Sequence, residues 1–377
     1  VSAGEASGDY YAAELVGELR RRRPGYEFFG CAGPHLRAEG VRPVIRSEDL
    51  SVVGIVEVLG HLPRIWLRFR ELIASAACEK PDLAILTDSP DFHFRVARKL
   101  KRLQIPVVYL VAPQVWAWRK GRVKTMRRVI DRLLCIFPFE EEFFRAHGVP
   151  VTYIGHPLAS RVRPSLSRED FFRKHNLDAS RPLITMLPGS RRREALRHLP
   201  ELSRAAEILA RGRPLSFVLP ASPTCGAKFF EPPLEGTRIQ AIEGDAWDAM
   251  AHCDVALAAS GTVTVEAALL GAPMVTFYRV TGVSWAIGKL LVDVPFYSMV
   301  NLIARKRVVP ELMQEEMTGE RIATETALLL DNATERGKMK EELARVALSL
   351  SSGLLSLEGD AISRAADEVE RLLETLT

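Results

Sequence analysis

The chain has 377 residues, 47% of them hydrophobic and 26% charged, and a formal net charge of +4. That excludes wholesale disorder and collagen-like or low-complexity organisation, and the length suits two domains better than one core. No run of roughly 18 uncharged apolar residues occurs, so no helix is expected to span a bilayer; the nearest stretch, 283–304, is interrupted by Lys289, Asp293 and Asn301.

Val1-Ser2-Ala3 reads as the end of a strand feeding the turn Gly4-Glu5-Ala6-Ser7-Gly8-Asp9. A first strand is expected to be absent in part, and a parallel sheet without it exposes an apolar slot. A helix follows with Ala13, Val16 and Leu19 on one face, then a strand at Phe28-Phe29. From 52 to 69 an apolar stretch (Val52, Val53, Ile55, Val56, Val58, Leu59, Leu62, Ile65, Trp66) carries interleaved arginines. It fits a core helix and an amphipathic membrane or acyl-chain segment about equally. Strands are expected at 83–86, 107–111, 133–137 and 151–154, with a helix over 92–103. The pattern restarts after Pro157. A strand at 183–187, a helix over 193–211, strands at 215–219 and 255–258, a helix over 263–270 and a strand at 274–277 give a second doubly wound unit. From Thr324 onward the tail is helical by period.

The five cysteines are scattered and form no CxxC, which suits a reducing compartment, and no signal-peptide pattern opens the chain. The mild net charge does not by itself point to nucleic acid. The basic residues are clustered, however. Arg119, Lys120, Arg122, Lys124, Arg127, Arg128 and Arg132 share a stretch with one acid, Asp131. It reads as a solvated helix face or as a surface for phosphate groups or a membrane.

Ligands of doubly wound sheets bind beyond the carboxyl ends of the strands, so the loops there are where chemistry is expected. The 4–9 turn could present backbone amides to an anion, or simply hold Asp9 as a helix cap. It is neither a Walker loop nor GxGxxG. Asp88 and Asp91 follow the strand at 83–86; Asp88 suits general base work, and Asp91 suits capping of the next helix. Leu187-Pro188-Gly189-Ser190-Arg191 puts an arginine at a helix start, able to clamp a diphosphate, with Glu194 as a structural cap. Ser260-Gly261-Thr262 at a helix N-terminus is a phosphate cradle or a plain cap, and Glu266, one turn on, suits ribose hydroxyls. His156 at the domain junction reads as structural. HExxH, GxSxG and DxD are all absent, so zinc, serine-triad and metal–diphosphate chemistry lack support.

Taken in order, GEASGD (4–9), AGP (32–34), VVGIVEVLG (52–60), SPDF (89–92), VWAW (115–118), GHP (155–157), LPGSR (187–191), ASGT with Glu266, YR (278–279), NL (301–302) and VPEL (309–312) resemble the lipid-A-disaccharide synthase family. The resemblance covers essentially the whole chain. It implies an α/β GT-B fold, two Rossmann-like doubly wound domains facing a cleft. The N-terminal, acceptor- and membrane-side domain is expected over 1–160 and the UDP-sugar donor domain over 161–345. A helical segment, 346–377, packs back on the first domain or swaps in a homodimer.

The implied reaction is inverting transfer of 2,3-diacylglucosamine from its UDP carrier to the 6'-hydroxyl of 2,3-diacylglucosamine 1-phosphate. The enzyme is expected on the cytoplasmic face of the inner membrane, as a peripheral protein, with no cofactor, metal or nucleic acid. By the same resemblance, Asp88 and Arg191 are catalytic. Arg191, Ser260, Gly261, Thr262, Glu266 and Asn301 hold the donor, and Glu5, Ser7, Gly8, Asp9 and Asp91 lie on the acceptor side. The residues from Val52 to Trp66 named above contact membrane or acyl chains. Ser160 stands where many relatives carry Asp, so no carboxylate role transfers there. Other readings are a different GT-B enzyme, such as a UDP-sugar epimerase or a peptidoglycan-precursor transferase, and a non-catalytic nucleotide- or lipid-binding module. The GGTGGH-like opening of the peptidoglycan transferase is absent, and a nicotinamide dehydrogenase is disfavoured without GxGxxG.

Overall fold

The computed structural model describes residues 1–50, 55–351 and 359–375. Contacts divide the chain into two units, Val1–Ser160 with Leu350–Thr377, and Arg161–Ser349.

The first unit is built on a seven-stranded parallel sheet. Its strands are β1 (Ser2–Ala3), β2 (Phe29–Ala32), β3 (Arg42–Arg46), β4 (Ala84–Thr87), β5 (Val107–Leu110), β6 (Arg132–Cys135) and β7 (Val151–Tyr153). Their order is β3-β2-β1-β4-β5-β6-β7. The second unit holds six parallel strands, β8 (Leu183–Leu187), β9 (Ser216–Ala221), β10 (Ile239–Glu243), β11 (Val255–Ala259), β12 (Met274–Tyr278) and β13 (Glu311–Met313), in the order β10-β9-β8-β11-β12-β13. Central strands β4, β5, β8 and β11 are buried along their whole length, as parallel strands covered by helices on both faces must be. That is why they read as continuous apolar runs.

Strands β3, β10 and β13, which the apolar pattern does not reveal, are all sheet edges. The first, Arg-Pro-Val-Ile-Arg, exposes both arginines and its proline, in keeping with an edge that must not recruit another strand.

In each sheet the strand order reverses once, between β1 and β4 and between β8 and β11. Register places Ala3 opposite Thr87 and Leu187 opposite Ala258. The loop carrying Gly4 to Asp9 therefore leaves beside Asp88, and the loop carrying Arg191 leaves beside that carrying Ser260 to Glu266. On the opposite side, Phe29 and Gly30 of β2 and Ala84 and Ile85 of β4 extend past the two-residue β1. A cavity of about 640 Å³ lies there, lined by Phe29, Leu72, Ile85, Val96 and Leu373 among others.

The C-terminal helix Ala361–Glu374 packs on the helix Ala6–Arg22 of the first unit. Arg22 bonds Asp367 at 2.5 Å and Glu370 at 3.0 Å, and Arg364 Nε donates to the Ile154 carbonyl at 2.7 Å. The basic stretch 119–132 is not one helix face. It divides among a turn at Lys120–Arg122, a helix at Val123–Val129 and β6.

Candidate active site

Asp88 sits one residue past β4 and takes a left-handed φ of 55°; Ser89 follows at 35°. This kink turns the Asp88 carboxylate back onto the start of the helix Ala6–Arg22. There Oδ1 accepts from the Gly4 amide at 2.9 Å and Oδ2 from the Glu5 amide at 3.0 Å. The approach demands glycine on the facing strand-to-helix turn. A Cβ at Gly8 would stand 1.7 Å from Asp88 Oδ2, and one at Gly4 would stand 2.6 Å from Ser89 Oγ. The glycines of the 4–9 turn thus make room for the Asp88 and Ser89 side chains.

The strained backbone at Asp88 is pinned from below. Its carbonyl accepts from the Tyr109 hydroxyl at 2.5 Å and from His93 Nδ1 at 3.0 Å. Because a carbonyl only accepts, His93 carries its proton on Nδ1, and Nε2 accepts from the Ser2 hydroxyl at 2.7 Å. Burial holds the His93 imidazole neutral, with its pKa lowered to about 4. The Asp88 carboxyl is pushed up to about 7 by burial, against the Gly4 and Glu5 amides and the Ser89 hydroxyl, which favour its ionised form. A carboxylate poised near neutrality suits a general base.

Neither Tyr109 nor His93 is legible as a site residue in the sequence. The signal available is a tyrosine in a fully buried strand, whose hydroxyl must find a partner.

Glu5 and Ser7 are exposed at the start of the same helix and free to face solvent. Asp9 differs from its expected place on the acceptor side. It is fully buried, and its carboxylate takes the backbone amides of Gly33 at 2.8 Å, His35 at 2.8 Å and Leu36 at 3.3 Å. It caps the neighbouring helix Pro34–Ala38 rather than its own. Asp91 does not cap the helix Pro90–Arg102, for which Ser89 is the N-cap residue. Its side chain is exposed and pairs with Arg119 and Arg122. His156 is buried and neutral; its Nδ1 accepts from the Leu158 amide at 3.1 Å, and burial lowers its pKa to about 4.

In the apolar stretch, Val52 and Val53 lie outside the described residues. Of Ile55, Val56, Val58, Leu59 and Leu62 only the backbone is described, within the helix Ile55–Glu79. Ile65 is half-buried, while Trp66 is 58% and Leu67 50% exposed, with Arg70 stacked 4.8 Å over the Trp66 ring.

In the second unit, Arg191 is the exposed N-cap residue of the helix Arg192–Ala210. Gly189 turns the chain with φ 119°, where a Cβ would meet the Glu194 carboxylate at 2.6–2.7 Å, so Glu194 is structural, as its capping position implies. His198, buried one turn further on, ties this loop to the end of β12. Its Nδ1 meets the Pro188 carbonyl at 2.7 Å and its Nε2 the Arg279 amide at 3.0 Å.

Gly261 and Thr262 stand exposed at the N-terminus of the helix Thr262–Leu269, where free amides and the helix dipole favour an anion. The Ser260 hydroxyl donates to the Tyr297 carbonyl at 2.8 Å. Glu266 Oε2 accepts from the Trp247 indole at 2.6 Å, and burial raises its pKa. The indole thus fixes one oxygen of the carboxyl group.

Asn301 does not reach this surface. It is fully buried; its amide donates to the Val309 carbonyl and Glu311 Oε1, and its oxygen accepts from the Val308 and Val309 amides. With its hydrogen-bonding capacity filled, it meets the turn at Ser260 through Glu311, which holds the Tyr297 and Ser298 amides. Among the described residues no group of three or more His, Cys, Asp or Glu could hold a metal ion, and no helix is long and apolar enough to cross a membrane.

A family model described as lipid-A-disaccharide synthetase matches residues 1–359. The chain is 62% identical over 374 residues to the lipid-A-disaccharide synthase of Solibacter usitatus (strain Ellin6076), covering 99% of this chain and 97% of that protein. Among solved structures it is similar to Acinetobacter baumannii MurG, with a TM-score of 0.58 at 15% identity over 97% of both chains. It is similar also to a UDP-GlcNAc 2-epimerase from Neisseria meningitidis, with a TM-score of 0.61 at 13% identity over 92% and 96%. These structures share the GT-B fold, which a transferase and an epimerase both use, so the fold alone does not choose between them.

Proposed function

Because the chain belongs to the lipid-A-disaccharide synthase family, we propose that Asp88 is the general base of its glycosyl transfer. The chain is a glycosyltransferase of lipid A biosynthesis. In the reaction implied, the 6'-hydroxyl of 2,3-diacylglucosamine 1-phosphate attacks the anomeric carbon of UDP-2,3-diacylglucosamine. The C–O bond to UDP breaks as the new β-1,6 bond forms. Asp88 takes the hydroxyl proton, and UDP leaves with the bonding pair. The observation that carries this reading is the Asp88 carboxyl itself, seated on two backbone amides at the sheet's switch point with its pKa near 7.

Arg191 and the helix N-terminus at Gly261 and Thr262 take the negative charge that grows on the departing diphosphate, with Ser260 shaping that turn. Glu266, with one oxygen fixed by Trp247, accepts from the ribose hydroxyls. Glu5 and Ser7, exposed beside Asp88, line the acceptor, and Gly8 gives the Asp88 carboxylate its room. Exposed Trp66 and Leu67, flanked by Arg64 and Arg70, support peripheral binding to the inner membrane's cytoplasmic face, where four acyl chains must be accommodated.

The test is UDP release from UDP-2,3-diacylglucosamine in detergent micelles, with and without the monosaccharide 1-phosphate, for wild type and Asp88→Asn. Acceptor-dependent release that is lost in the variant supports the reading. Equal release by the variant removes Asp88 from the chemistry.

A further inference from the structure

Two arginines of the basic stretch converge on Asp91, three residues after Asp88. Arg119 Nη1 lies 3.2 Å from Asp91 Oδ2, and Arg122 Nη2 bonds Asp91 Oδ1. Two guanidiniums on one carboxylate leave the cluster with a surplus positive charge. The Asp91 side chain is 75% exposed, so the pair is open to a competing anion. Neither arginine depends on Asp91 alone for its place. The Arg119 guanidinium lies 4.1 Å from the Trp118 ring centre and that of Arg122 6.0 Å from Phe94. Phe94 packs on Tyr109 with ring centres 5.8 Å apart, and Tyr109 holds the Asp88 carbonyl. Arg122 is thus linked to the backbone of the proposed base through two packed rings, and Asp91 and Phe94, which meet the arginines, lie on the helix Pro90–Arg102 that begins two residues after it.

We propose that Arg119 and Arg122 form a phosphomonoester site that receives the 1-phosphate of the acceptor, with Asp91 as the resident counter-ion which that phosphate displaces. The proposal rests on the reading of Asp88 as the base that meets the acceptor hydroxyl. A phosphomonoester carries about 1.5 to 2 negative charges near neutral pH, more than the single charge of Asp91. Its three oxygens accept from planar guanidiniums in the paired geometry that a lone carboxylate satisfies only in part. Recognition here makes the phosphate a positioning handle, turning the hydroxyl at the other end of the sugar toward Asp88. Lipid headgroup phosphates offer the same chemistry, so the experiment must separate the two sources.

Acceptor kinetics are measured in neutral detergent micelles for wild type, Arg119→Ala, Arg122→Ala, Arg122→Lys and Asp91→Asn. Each is assayed with 2,3-diacylglucosamine 1-phosphate and with the same sugar bearing a 1-hydroxyl. If the latter is not turned over, its inhibition constant replaces KM. Wild type should prefer the phosphorylated acceptor by about 10- to 100-fold, the size of a charge-assisted hydrogen-bond pair. That preference should collapse toward unity in the alanine variants and return in part in Arg122→Lys. Asp91→Asn, which removes the competing anion, should strengthen the preference. Alanine variants that lose equally against both acceptors overturn the proposal. So does a preference untouched in micelles while binding to phosphatidylglycerol vesicles falls, which assigns the arginines to headgroups. If wild type itself releases no UDP on adding either acceptor, the transferase reading fails, and this proposal fails with it.

Discussion

Gly8→Ala is the substitution that most directly tests how the site is built. Gly8 lies in the first turn of the helix Ala6–Arg22, where alanine is intrinsically better by up to about 1 kcal/mol. Yet its new Cβ would stand 1.7 Å from Asp88 Oδ2 and 2.7 Å from Asp88 Cγ, against the roughly 3.5 Å of ordinary contact. The carboxylate must swing away by nearly 2 Å on that comparison, breaking both its bonds to the Gly4 and Glu5 amides. Hydrogen bonds to a charged group contribute about 1.5–3 kcal/mol each, so, after the helix gain, urea unfolding at pH 8 should show a loss of about 2–5 kcal/mol. Turnover should fall by at least about 100-fold, as for loss of a positioned base.

The decisive comparison is the same substitution in an Asp88→Gly background. Glycine accepts the 55° φ of that position, and the atoms nearest the new Cβ, all of the Asp88 side chain, are gone. There Gly8→Ala should be neutral or stabilising by up to about 1 kcal/mol. A loss of 2 kcal/mol or more in both backgrounds would refute the argument that Gly8 exists to make room for Asp88.

With a base titrating near 7, kcat/KM should rise through that pH and level off above it; Tyr109→Phe, which removes one bond to the Asp88 carbonyl, should lower kcat by about 3- to 10-fold, move that midpoint and leave acceptor KM nearly unchanged. A change confined to KM would show that Tyr109 does not position the base. Asn301→Ala should cost about 2–4 kcal/mol in urea unfolding and weaken UDP binding far less; full stability with UDP binding gone would show direct contact instead. The Glu140 carboxyl, buried against the Trp116 indole and the Phe137 amide, is pushed up to about 8 by burial. A folded-state value above the unfolded one means that its stabilising contribution is present below about pH 4.5 and lost as pH rises through 8. Glu140→Gln should therefore flatten the fall in stability over that window, measured by urea unfolding at stepped pH, and an unchanged slope would refute the assignment.

The two doubly wound units and most of their central strands are legible in the amino-acid pattern, because a parallel strand covered on both faces must be apolar throughout. Runs such as Leu183–Leu187 carry that requirement without help from the rest of the chain. The same pattern placed Asp88, Arg191 and Gly261 in loops after strands, and Glu266 one turn into the following helix, since the alternation of strand and helix fixes where such loops fall. Edge strands such as β3 escaped, because one solvent-facing side and a missing neighbour remove the apolar signature.

Which polar residues face solvent is settled by packing between distant segments. Asp9 and Asn301 sit in motifs with the same local grammar as Asp88 and Glu266, yet packing buries both and fills their hydrogen bonds with backbone from residues 24 and 8 positions away. The pins on Asp88 come from β5 and from the following helix, whose His93 is in turn held by Ser2 of β1. A hydrogen bond between segments distant in the chain leaves no periodic trace in sequence; it exists only once the sheet has set their register.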